Sequence, residues 1–128
     1  MMKIKKPFKK CIEIAKQIAK ERDGYKCLKC GRTKEQGWQI HGSHIIGVGA
    51  SPRMAVYPLN IKALCANCHT SFWHSNPTKS GLWFTKKYPE WAKDLEKLRF
   101  KVEGDLKKTN YEKKLVELKE ELKTLLDE

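Results

Sequence analysis

Four of the chain's five cysteines fall into two pairs, Cys27-Leu-Lys-Cys30 and Cys65-Ala-Asn-Cys68, and its four histidines, His41, His44, His69 and His74, lie between positions 41 and 74. Two such turns offer soft thiolates in the set that tetrahedral Zn²⁺ takes in a closed structural site. With every coordination position filled, that metal is expected to hold the fold together and not to activate water. A redox dithiol would need a thioredoxin-like βαβ setting, which the sequence lacks, and iron–sulfur clusters use other spacings. The 34 residues between the pairs exceed a simple zinc-finger spacing, so a distant segment must return beside the first turn. That closure would gather His44, Asn60 and His69 in one region. A neutral imidazole can take a proton from water near neutral pH, and a divalent ion beside it would neutralise charge on a phosphodiester.

The elements that must position these groups follow from patterning. Phe8, Cys11, Ile12, Ile14, Ala15, Ile18 and Ala19 recur at helical spacing ahead of Gly24, which predicts a basic amphipathic helix over 8–22 with Cys11 as a buried structural thiol. Residues 25–33 read as a metal knuckle closed by Gly31 in a left-handed conformation. A strand is predicted over 38–46, interrupted by the glycine-rich loop 47–52 before Met54 to Tyr57. Residues 61–74 read as the second knuckle running into a helix, which completes a β-β-α element. The breaker cluster 75–81 ends that helix and begins a small element around Leu82-Trp83-Phe84. Helices are predicted from Pro89 to Gly104 and from Thr109 to Leu126, the last with a leucine stripe too short for an autonomous coiled coil and therefore expected to pack back on the domain. The expected fold class is α+β, a small zinc-stabilised core (25–77) between a basic N-terminal helix (1–24) and a C-terminal helical extension (78–128). Phe72, Trp73, Trp83 and Phe84 are assigned first to packing.

The chain has 128 residues, enough for one small domain, and no apolar run approaches the length of a membrane span. Its start is basic without an apolar h-region, so an intracellular, cytoplasmic protein is expected. Lys and Arg number 27 against 15 Asp and Glu, a formal charge of +12. Such an excess attracts polyanions, and nucleic acid is the default partner. It is concentrated early, with 12 basic and 3 acidic residues in positions 1–34. Lys5, Lys6, Lys9, Lys10, Lys16, Lys20, Arg22, Lys26, Lys29 and Arg32 are candidate backbone contacts, and Arg53 a candidate phosphate clamp.

Taken together, Cys27-Leu-Lys-Cys30-Gly, His41-Gly-Ser-His44-Ile-Ile, and Pro58-Leu-Asn60-Ile-Lys-Ala-Leu-Cys65-Ala-Asn-Cys68-His69 resemble the HNH endonucleases, the ββα-metal nucleases, in the branch knit by a four-cysteine zinc. The ending through His74-Ser-Asn-Pro77 is similar to small phage-type HNH and recombination-nuclease proteins, which act inside a bacterial host. The resemblance covers about residues 25–76. It implies His44 as general base with its other ring nitrogen held by a backbone carbonyl, Asn60 as the residue that holds the loop and orients that base or ligates the metal, and His69 as a ligand to a catalytic divalent ion such as Mg²⁺ or Mn²⁺. It further implies metal-dependent cleavage of double-stranded DNA, leaving 5′-phosphate and 3′-hydroxyl ends; one active site would cut one strand and give a nick, and the short leucine stripe makes a monomer the expectation.

One departure matters. Many members carry Asp or His immediately before the base, where this chain has Ser43, and a neutral hydroxyl is a poor substitute for a carboxylate ligand. His41 could replace it if the strand bends so that positions 41 and 44 converge, and His74 could do so from the helix end. Ser43 also supports a second expectation, a catalytically inactive zinc-stabilised nucleic-acid-binding module. A third expectation, a protein–protein adaptor, would use the leucine-bearing C-terminal helix as its surface.

Overall fold

The computed structural model describes residues 6–128, so Lys5 lies outside the described residues. Helix α1 (Lys6–Arg22) is followed by β1 (Ile40–His44), two 3-10 turns (Pro52–Val56 and Pro58–Asn60), β2 (Ile61–Cys65), a π-helical turn (Cys68–Trp73), and helices α2 (Pro77–Lys87), α3 (Pro89–Gly104) and α4 (Tyr111–Leu126). This is an α+β fold, a two-stranded antiparallel sheet flanked by N- and C-terminal helices. Among the described residues no helix is long and apolar enough to cross a membrane.

Helix α1 forms where the spacing predicts it, with Cys11, Ala15, Ile18 and Ala19 buried. That face packs on Val56, Ile61 and Leu118, and the Cys11 thiol donates to the Tyr111 carbonyl at 3.3 Å. The leucine stripe of α4 is covered from inside the chain, since Leu115, Leu118, Leu122 and Leu125 all pack into this cluster and Phe8 meets Tyr111 edge-on at 4.9 Å. An adaptor surface built on that stripe is therefore not available in this fold. A second cluster gathers Leu64, Cys65, Cys68, Trp73 and Phe84, which places the aromatics in packing roles as expected.

The second strand differs from the sequence expectation. Met54–Val56 lie in a 3-10 turn, not in a strand, and the partner of β1 is Ile61–Cys65, in register Ile40 with Cys65 and His44 with Ile61. Met54, Ala55 and Val56 are all buried, which a tight turn facing the core permits and a half-exposed strand does not. Continuous burial along β2 makes it a fully covered strand, a pattern that periodicity alone does not separate from a helix. The helix expected after the second knuckle is a π-helical turn, and α2 starts separately, its end capped by Asn76 accepting from the Lys79 N–H with Pro77 in the first turn.

Two arginines assigned to nucleic acid from the sequence have structural partners instead. Arg22 donates to the carbonyls of Pro58 and Ile61, pairs with Asp23 at 2.9 Å and lies over Trp91, while Asp23 accepts from the Ala63 N–H. Together they fasten the end of α1 to β2. Arg53 donates to the Asp105 and Lys107 carbonyls and so holds the α3–α4 connection, not a phosphate.

Gly42 sets how closely α1 approaches the sheet. A Cβ there would stand 2.8 Å from the Lys16 Cβ and Cγ and 3.1 Å from its Cα. Because part of that clash is with backbone, Gly42→Ala is expected to cost about 1–3 kcal/mol, read as a lower urea midpoint, with the far-UV spectrum retained.

Candidate functional site

The first knuckle forms as its residues dictate. Gly31 adopts φ +81 and donates to the Cys27 carbonyl at 2.9 Å, and Cys27 N–H bonds Arg32 at 2.8 Å. Leu28 N–H donates to Ala63 at 3.0 Å, tying this turn to β2, whose last residue is Cys65. The four thiol sulfurs of Cys27, Cys30, Cys65 and Cys68 all lie within 4.8 Å of one another. Two thiolates bound tetrahedrally to Zn²⁺ at about 2.3 Å would be about 3.8 Å apart, and the Cys30–Cys65 separation is 3.7 Å. Burial would raise the Cys65 pKa, but the Cys68 N–H and the thiols of Cys68, Cys30 and Cys27 favour its thiolate and bring it down to about 7. The cluster fits a structural Zn²⁺.

The histidines assemble from three segments. In the unbroken register of β1, His41 is opposite Leu64 and His44 opposite Ile61, so the two point to opposite faces and no bulge makes them converge. His69 supplies the link. Its Nδ1 is 2.9 Å from Nδ1 of His41 and its Nε2 2.9 Å from Nε2 of His74, and it lines one cleft of about 620 Å³ with His44, His74 and Lys16. The π-helical turn explains the His69–His74 contact. Positions five apart lie off each other's face in an α-helix, but here the His74 N–H reaches the His69 carbonyl at 3.2 Å and stacks the two residues. Burial, then the charges of His74, His41, Lys62 and Lys16, push His69 down to about 4, so it is neutral at physiological pH. A neutral ring donates through one nitrogen and accepts through the other, which makes His41, His69 and His74 a hydrogen-bonded chain. Among the described residues the cysteines are the only group of three or more ligating side chains drawn together tightly enough to hold a metal.

His44 is held differently. Its Nε2 lies 2.9 Å from the Ala55 carbonyl, so that nitrogen carries the proton and Nδ1 keeps its lone pair. Burial lowers its pKa below the usual histidine value, with Lys16 and Lys62 acting in the same direction against the Ala55 bond. Asn60 is fully buried and its amide accepts from the Ile46 N–H at 2.8 Å while donating to the Ile46 and Met54 carbonyls at 3.0 and 3.1 Å. It closes the loop that carries Ala55, and through Ala55 it fixes the His44 ring. Trp73 adds a bond from its indole N–H to the His44 carbonyl at 3.1 Å.

Sequence reasoning missed Lys62 and Glu96. Lys62 is opposite Ser43 in the sheet and is completely buried, with Nζ 3.4 Å from the Ser43 hydroxyl and over the Trp73 ring. Burial brings it down to about 6, against the pull of Asp23 and Cys27. Its place in an apolar run of β2 hid it. Glu96 on α3 is the one carboxylate lining the cleft among the described residues; no sequence pattern connects it to a site more than 20 residues away.

Comparisons with protein-family models, with curated proteins and with solved structures find no match to this chain. What the molecule itself displays is a small α+β domain with an antiparallel hairpin and a four-cysteine cluster able to chelate a metal, consistent with a ββα-metal-type zinc motif.

Structural zinc is worth about 10–16 kcal/mol in small domains, as much as or more than the roughly 5–15 kcal/mol net stability of a typical fold. Cys65→Ser is therefore expected to abolish stoichiometric zinc by mass spectrometry and to remove cooperative unfolding. A second expectation concerns Lys62. Its folded pKa lies below its unfolded value, so the unfolded chain binds the extra proton between about pH 6 and 10.5 and the folded state gains stability as pH rises through that window. Lys62→Met should raise the urea midpoint at pH 7, and the gain should shrink toward pH 10.

Proposed function

We propose that this chain is a metal-dependent DNA endonuclease of the HNH type, hydrolysing phosphodiester bonds one strand at a time. The observation that carries the reading is the fixed tautomer of His44, whose Nε2–H is engaged by Ala55 so that Nδ1 is the basic nitrogen. In this reading Nδ1 accepts a proton from the attacking water, the new phosphorus–oxygen bond forms, and the bond to the 3′ oxygen breaks, leaving 5′-phosphate and 3′-hydroxyl ends. His69 with His41 or His74 would hold the divalent ion, which when bound supplies positive charge against the phosphate and the departing oxygen. Asn60 is a positioning residue acting through the loop. Lys16 on the cleft wall, with the exposed Lys9 and Lys10 of α1, offers cations for a double-stranded backbone.

A second reading has a specific observation behind it. Ser43 is buried beneath Lys62, and the cleft histidines bond one another. A zinc-stabilised nucleic-acid-binding module without hydrolysis requires only the fold, the cysteine cluster and the charge, and it is the broader claim that those findings support first.

The two readings separate in a supercoiled-plasmid assay on zinc-loaded protein with no added ion, Mg²⁺ or Mn²⁺. The endonuclease reading expects open-circular product only with added metal, a loss of about 10²–10⁴-fold in His44→Ala, and a smaller loss in Asn60→Ala. Because the His44 pKa is depressed, the rate should be level above about pH 7 and fall only as pH drops below the ordinary histidine value of about 6.5. Binding without cleavage in every arm would leave the module reading standing.

A further inference from the structure

The first knuckle carries a surface that the histidine cleft does not use. Residues 24–34 hold Lys26, Lys29, Arg32 and Lys34 and no carboxylate. Among the described residues none of these cations is in an ion pair. Instead, Lys29 lies over Phe72 at 4.8 Å, Lys34 over Tyr25 at 4.7 Å, and Arg32 over Trp38 at 4.1 Å. Aromatic faces hold these stems in place while leaving the charge unneutralised. A tetrathiolate zinc is a dianion, so four cations exceed what its balance requires. Trp38 is 42% exposed although its backbone is fixed, its N–H donating to Thr33 at 3.2 Å and the next residue, Gln39, accepting from Ala66 at 3.0 Å. An anchored backbone presenting a large aromatic to solvent beside unpaired cations is the arrangement of a stacking platform.

We infer that Trp38 and the Arg32–Lys34 edge of the first zinc knuckle form a contact for unpaired nucleotides of a nucleic-acid strand. The indole face that Arg32 does not cover stacks on an exposed base, while Arg32, held against the other face, and Lys34 take the phosphates. Bases in an intact duplex offer no free face except at an end, so this surface favours single-stranded segments over the duplex. Trp38 lies just ahead of β1, which carries His41 and His44. Six residues of extended chain reach roughly 20 Å, so an unpaired flank on Trp38 would lie several nucleotides from a phosphate in the cleft. The inference rests on the nucleic-acid-binding part of the reading above and needs no hydrolysis.

The test uses the full zinc-loaded chain without added divalent ion, titrated against fluorescein-labelled oligothymidine and a duplex of equal length at several salt concentrations, with zinc content checked for each variant. Trp38→Ala should weaken single-strand binding about tenfold and duplex binding less than twofold, and Trp38→Phe should restore most of the single-strand affinity. Arg32→Gln with Lys34→Gln should lower the single-strand salt slope by about 1.4. Unchanged single-strand affinity in Trp38→Ala, equal losses on both nucleic acids, or equally tight binding of polyglutamate by the wild type would each overturn the inference. Those outcomes leave plasmid cleavage untouched, and a Trp38-dependent single-strand preference in a protein that cuts nothing would uphold the inference while the hydrolytic reading fails.

Discussion

The convergence of four thiolates from two turns is the constraint on which the rest of the molecule depends. Cys27 and Cys30 sit on a knuckle ahead of the hairpin, and Cys65 and Cys68 at its far end. A single ion joining them would close the 34-residue segment between, and in a domain this small that bond would offset the entropy of the closure. The Leu28–Ala63 and Ala66–Gln39 backbone bonds continue the same closure into the sheet. The histidine cleft sits on strands whose ends this cluster pins, although no thiolate takes part in it.

Within that frame the cleft is organised by orientation more than by charge. The buried Asn60 amide closes the loop, the loop presents the Ala55 carbonyl, and that carbonyl selects the His44 tautomer. On the facing segment a π-helical turn replaces α geometry and brings His74 beside His69. Departures from regular helix of this kind persist where side chains must be re-aimed. Burial of both rings is what favours their neutral forms.

The helical parts were legible because amphipathic spacing needs no knowledge of partners. Helix α1 ends near Gly24, α3 runs from Pro89 to Gly104 and α4 follows its leucine stripe. The second strand was not legible, since Ile61 to Cys65 are buried on both faces and carry no alternation. Nor were Arg22 and Arg53, which read as free cations and turn out to bond carbonyls 36 and 52 residues away.

Residue types and their spacing specify the chemistry on offer. Cysteine spacing specifies a thiolate metal site, Gly31 specifies the turn that closes it, and the clustered histidines with Asn60 specify a polar region able to handle protons. Those are local properties of residue type and spacing. Which groups meet is set by the folded chain: His41 and His44 diverge in a regular strand, His69 bridges His41 and His74, Ser43 lies under a buried lysine, and Trp38 is exposed on a fixed backbone. Such contacts depend on the packing of segments far apart in the chain, which residue spacing does not encode.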